Sequence, residues 1–253
     1  MKFKLKRMQS IQLSKKLLDL VEHDYVFANA LFFLGIKFYQ YKTETLEEVL
    51  ALTGINLSQL NKKVEELHTE DFPGTDFFAF FEVDAVIEYL KHAHFLYIKE
   101  KIPYITRLIE DLEDTEKITH DLKLIFPYVM EDFIKHIYHE EDSLFYYVNK
   151  LLTASKEGFN ESVMFEWMNK YSIQTMYKYH ESDDEMKGIR ELTDNYSIVG
   201  RTNTHLKVIL KELQTFERDL FVHARVENEV LFPKALELES KVAKLVAESI
   251  KSF

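Results

Sequence analysis

Apolar residues recur along this chain at intervals of three and four, the spacing that lines one face of an α-helix. Leu17, Leu18, Leu20 and Val21 open such a face, and Phe27, Leu31, Phe32 and Leu34 carry it to Gly35, a helix stop. Thr43 precedes a second run through Leu46, Val49, Leu50 and Leu52 that ends at Gly54. Ser58 opens a third run through Leu60, Val64 and Leu67, so the stretch from about Ser10 to Leu67 is predicted to be a compact helical unit. Asp71, Pro73, Gly74 and Asp76 then gather turn-forming residues between His68 and Phe78, which reads as a linker.

Four longer helical patterns follow, over about 84–112, 117–152, 162–196 and 203–236. Polar connections as short as 113–116 and 197–201 make neighbouring helices antiparallel. The predicted fold is all-α. Residues 1–75 form a small helical domain with its linker, and residues 76–253 an up-down four-helix bundle.

Composition narrows the function. With 6 Gly and 4 Pro in 253 residues, turns are scarce and long helices are favoured. A net charge of −11 repels phosphate backbones, which argues against a nucleic-acid partner. The chain has no cysteine, which excludes disulfides, thiolate nucleophiles, zinc fingers and cysteine-ligated iron–sulfur clusters together. Lys2, Lys4, Lys6 and Arg7 precede no apolar signal region, and no apolar stretch is long enough to span a bilayer. The expectation is a cytoplasmic protein with no membrane partner.

The chemistry is carried by an internal echo. Asp132, His136, Glu140 and Leu144-Phe145 reappear as Asp219, His223, Glu227 and Leu231-Phe232, each 87 positions later. Residues four apart share a helix face, so each copy stacks an imidazole over a carboxylate. Val129, Phe133, Leu144, Tyr147 and Leu151 share that phase in the second helix; Phe216, Leu220, Leu231 and Ala235 share it in the fourth. An ionised carboxylate on such a stripe is costly unless a cation neutralises it. For one copy alone, a hydrogen-bonded pair at a wide core boundary is the plainer explanation; two copies favour a metal. His94 falls on the first helix's apolar phase, with Val83, Ile87, Leu90, Ile98 and Ile105, whereas His92 lies roughly 200° away. In the third helix His180 and Glu181 are candidates, although the phase set by Gly188, Leu192 and Tyr196 favours Glu181 and Glu185 over His180. His180 is preferred because the bundle needs a nitrogen donor from that helix.

The candidate ligands are therefore His94, His136, Glu140, His180, Glu181, His223 and Glu227; no catalytic residue is singled out. A set with no sulfur disfavours copper(I). Six or seven N and O donors exceed one tetrahedral zinc and suit two ions bridged by carboxylates. Iron is the first choice and manganese the second, with Glu140 and Glu227 as bridges and an open position for O2, NO or peroxide.

His136-Ile-Tyr-His-Glu140 before Leu-Phe, and His223-Ala-Arg-Val-Glu227-Asn-Glu-Val-Leu-Phe-Pro, resemble the second- and fourth-helix motifs of the haemerythrin-like HHE cation-binding domain. His92-Ala-His94 ahead of Pro103, and His180 through Thr193, resemble the first- and third-helix motifs. Counting back from Pro103 without a gap lands on Phe95, and counting back from Ile189-Arg190 lands on Tyr179, each one residue from a histidine. The two-part layout is similar to the RIC family, which repairs iron centres. That family carries a cysteine pair where this chain reads Phe38-Tyr39-Gln40-Tyr41-Lys42, so a thiol function is not expected here. The resemblance implies a non-haem di-iron protein that delivers iron to, or helps rebuild, damaged iron–sulfur proteins under nitrosative or oxidative stress, and it admits a homodimer. Two other readings stay open: a haemerythrin-type binder or sensor of O2 or NO, and a metal-free helical interaction protein.

Overall fold

The computed structural model describes residues 13–68, 75–114, 116–180 and 184–251. No strand forms among the described residues, and a single isolated antiparallel bridge joins Lys16 and Thr45. The chain is all-α. Its contacts divide it into two compact units, Met1–Asp71 with Ile198–Lys211, and Phe72–Ser197 with Glu212–Phe253. The first unit thus takes in a segment that the sequence pattern groups with the bundle.

The first unit contains α1 (Leu17–His23), α2 (Val26–Phe33), α3 (Leu46–Thr53) and α4 (Leu57–His68). Thr45 and Glu48 form a reciprocal capping box at the start of α3, each side chain accepting from the other's backbone N–H, and Gly54 ends the helix at φ 71°. Leu52, read as part of that apolar face, is exposed. The start of α4 is set by Asn56 rather than Ser58: Asn56 and Gln59 exchange side-chain and backbone hydrogen bonds at 2.9 and 3.0 Å. Phe38 and Tyr39 pack on His205, the Tyr39 ring stacked at 4.0 Å, so the segment without cysteines is used for packing.

In the second unit α5 (Thr75–Phe78) lies within the stretch read as linker. Next come α6 (Val83–Leu96) and α7 (Ile102–Glu110), joined by a π-helical turn over Tyr97–Lys101. α8 (Lys117–Glu140) and α9 (Tyr146–Glu157) are joined by a second π turn, Glu141–Phe145. After α10 (Glu161–Lys170), α11 (Ile173–His180) and α12 (Lys187–Leu192), α13 (Thr204–Val226) and α14 (Phe232–Lys251) are joined by a third, Glu227–Leu231. α9, α10 and α11 pack on α14, α7 and α12 on α8, and α6 against the third π turn. Their shared core includes Ile87, Leu90, Leu144, Phe145, Leu151, Val230, Leu231 and Phe232.

The third pattern, 162–196, is not one helix. It breaks after Lys170, where Tyr171 is extended, and restarts with Ser172 accepting from the Thr175 N–H. It stops again after Leu192, where Asp194, Asn195 and Tyr196 all have positive φ. The Thr193 hydroxyl holds that turn, donating to the Ile189 carbonyl and accepting from the Tyr196 N–H.

Candidate metal centre

Four side chains converge in the core of the second unit: His94 from α6, Glu140 from the end of α8, His223 from α13 and Glu227 from the third π turn. One donor atom from each lies within 4.8 Å of all the others, and all four residues are buried. The His94 and His223 Nε2 atoms face one another at 3.0 Å, and His94 Nε2 is 3.4 Å from Glu140 Oε2. Glu227 divides its carboxylate: Oε1 is 2.9 Å from His223 Nε2, while Oε2 is 2.8 Å from His180 Nε2. The His180 ring lies 6.0 Å from that of His136.

The structure therefore brings His94, Glu140, His180, His223 and Glu227 together. His136 stands at the edge, its side chain 29% exposed, with Nδ1 3.9 Å from Glu185 Oε1. Glu181 lies outside the described residues. Glu141, which sequence spacing did not single out, and Glu185, to which the third helix's phase pointed although His180 was preferred, complete the surroundings. Glu141 Oε1 is 2.9 Å from His94 Nδ1, and Glu185 faces His136. Glu141 was hidden by its place beside Glu140, off the four-residue spacing. His92 and His139 are exposed, and His120 pairs with Asp114 at 3.2 Å.

The repeated Leu-Phe pairs have a role in this geometry. Phe145 stacks under the His94 ring at 5.6 Å, and Phe232 packs on the His180 ring at 5.4 Å. Each copy of the echo thus supplies a carboxylate and a phenyl ring to a histidine from another helix. The echo breaks at its first member: Asp132 is exposed, whereas Asp219 is buried and 3.8 Å from Lys101 Nζ.

Each of the three ligand-bearing long helices carries a π turn beginning within three residues of a candidate ligand. Such turns insert one residue into a helix and re-aim side chains, and they recur at functional sites.

Burial and close packing make these groups shift one another's proton affinities. Burial raises the Glu140 carboxyl, and the neighbouring Glu227 raises it further. Burial works the same way on Glu227, but His223 and His180 outweigh it and hold that carboxyl well below its usual range. Burial pulls His94 down, yet Glu140, Glu141 and Glu227 more than reverse this and keep the ring above its ordinary value. Glu140 Oε1 and His223 Nδ1 are buried without hydrogen-bond partners among the described residues. Buried oxygens of this kind are normally satisfied. Imidazoles and carboxylates with no sulfur suit iron or manganese, and the residues present fit a metal.

No family model matches the chain. It is distantly similar to the iron-sulfur cluster repair protein ScdA of Staphylococcus epidermidis, as found in two strains of that bacterium. The identity is 23% over 185 residues, which covers 71% of this chain and 79% of the relative.

Proposed function

We propose that the second unit is a haemerythrin-like bundle holding two iron ions. His94 and His223 would hold one ion and His136 and His180 the other, with Glu140 and Glu227 supplying carboxylates to both. The observation that carries this reading is Glu227, whose two oxygens are turned to histidines of different pairs. Iron in such a site supplies redox chemistry and open coordination positions for small oxidants or NO. The protein's own residues hold the charge, exclude water on the His94 side and keep the donors aimed inward.

The chain then acts in the repair of damaged iron–sulfur centres under nitrosative or oxidative stress, with iron as the cargo it delivers and damaged iron–sulfur proteins as its partners. Its distant similarity to an iron-sulfur cluster repair protein supports this assignment. A cytoplasmic setting belongs to the same reading. Elemental analysis of protein made in iron-replete medium should give two iron per chain. Cells lacking the protein should then regain iron–sulfur enzyme activity slowly after NO exposure. Metal-free protein together with normal recovery would end the proposal.

One observation favours a second reading, reversible binding of NO or O2. Glu185, 3.9 Å from His136, is among the residues that line an open cavity of about 740 Å³ on this side. A spectral change on adding gas that reverses without iron loss, in protein that restores no damaged cluster, would select it.

A further inference from the structure

The inward face of α13 stays polar well beyond the centre. Glu212, Phe216, Asp219 and His223 follow one another at steps of four, three and four, and all are buried. The two acids are not among the four converging donors. The first copy of the echo has no counterpart to them, since 87 positions earlier stand Ile125 and the exposed Asp132. Their partners come from the first π turn and from α7. Lys101 Nζ is 3.8 Å from Asp219 Oδ2, and the Tyr104 hydroxyl lies 3.5 Å from Glu212 Oε1. Tyr97 ties this group to the centre: its hydroxyl donates to the Asp219 carbonyl at 3.2 Å, and its ring stands edge-on to His223 at 5.7 Å. At the outer end the Lys101 side chain is 23% exposed and reaches water. Among the described residues, Lys101, Tyr104 and Asp219 are the titratable groups that face Glu212. Burial raises its carboxyl to about 7 against the pull of Lys101 and Tyr104, and a carboxyl that ionises near neutral pH can carry protons.

A ferrous ion takes imidazole through a free lone pair and carboxylate as the anion, so loading expels protons and release takes them back. The four converging donors are no more than 8% exposed and have little water at hand. We infer that Glu212, Asp219 and Lys101 form the proton-exchange route of the centre, with Glu212 as the group that carries the proton. As metal enters, an N–H bond at the centre breaks and an O–H bond forms at the Glu212 carboxylate. That carboxyl then passes the proton to solvent on the Lys101 side, and metal release runs the sequence backwards. The inference rests on the metal-centre reading above and adds the path by which the buried site stays electrically balanced.

The test is anaerobic stopped-flow mixing of the metal-free full chain with ferrous iron in weak buffer, a pH-indicator dye reporting the protons released. Wild-type protein should release them faster as pH rises, with a midpoint at about 7, where Glu212 ionises. Glu212→Gln should abolish that midpoint and slow release about 100-fold at pH 8, the low end of what a placed proton carrier contributes. The iron bound and the protons finally released should stay the same. Glu212→Asp, which keeps a carboxyl, should recover much of the rate. Lys101→Met should move the midpoint upward, because the ammonium favours the charged carboxylate. In metal-free protein the infrared band of the protonated Glu212 carboxyl should fade over the same pH range and be missing from Glu212→Gln. A merely structural Glu212 would leave the release rate untouched, and its Gln variant would change only the melting temperature. If Glu212→Gln does not fold, Glu212→Asp and Lys101→Met carry the comparison through the midpoints they shift. Release at the wild-type rate in Glu212→Gln, or a midpoint that Lys101→Met does not move, would overturn this inference and leave the centre standing. Wild-type protein that takes up no iron would remove the centre and the inference with it.

Discussion

Glu227 is 1% exposed, and its charge is sustained by imidazoles on either side. Removing one of them leaves a buried charge short of a partner, which in proteins costs about 3–5 kcal/mol. His223→Ala should therefore lose metal and also lower the denaturant midpoint of the metal-free protein, whereas His92→Ala, on an exposed position, should change neither. Elemental analysis beside a urea titration separates the two effects. A second buried carboxylate tests the electrostatics away from the centre. Burial raises Glu212 to about 7, with Asp219 adding to the rise and with Lys101 and the Tyr104 hydroxyl opposing it. The unfolded chain releases this proton near the usual carboxylate value, so between there and pH 7 the folded state binds more protons and stability falls as pH rises. The loss, on the order of 3 kcal/mol, is complete above pH 7. Glu212→Gln should remove that slope and stabilise the protein at pH 8, as read from urea midpoints at pH 5 and pH 8. An unchanged pH profile would mean that Glu212 ionises freely.

At the scale of the element, the helical phase explains both what sequence spacing captured and what it missed. Buried positions in the first long helix run Val83, Ile87, Leu90, His94 and Tyr97, then resume at Ile102, Ile105 and Ile109. The step of five between Tyr97 and Ile102 is the π turn, one residue more than an α-helical turn accommodates. His94 was found because the count started upstream of that insertion. Counting back from Pro103 crossed it and landed on Phe95, which is 54% exposed. Ile98, taken as core from an unbroken period, is half-buried for the same reason. The echo in α8 and α13 needed no such correction, since each His–Glu pair sits ahead of, or at the first residue of, its π turn. The breaks at 171 and 194–196 were invisible to a hydrophobic period because hydroxyl caps and positive-φ residues make them. Deleting the exposed Lys99 should let the π turn close as α-helix and rotate His94 by about 100° against α7. The expected outcome is a protein with unchanged far-ultraviolet circular dichroism that no longer binds its full complement of iron. Full iron binding would show that the π turn has no part in aiming His94.

For the molecule as a whole, two divalent ions would bring positive charge into a chain whose formal net charge is −11, and would bring it where acidic groups are most deeply buried. Because the unfolded chain scatters these donors along the sequence, from His94 to Glu227, it offers no assembled site, and binding energy becomes folding energy. At a free-ion concentration 100-fold above the dissociation constant, each site contributes about 2.7 kcal/mol, so two contribute roughly 5 kcal/mol. For a domain of this size each kcal/mol moves the melting temperature by about 2–4 °C, so the second unit should melt on the order of 10–20 °C lower after chelation. Calorimetry with and without ferrous iron reads this directly. The first unit contributes none of the candidate ligands, so a transition belonging to it should stay where it was. Half of the expected shift would correspond to one ion retained after gentle chelation. A melting curve unmoved by complete chelation would mean that the buried carboxylates are satisfied by protons and histidines alone, and the centre would then be a polar core rather than a metal site.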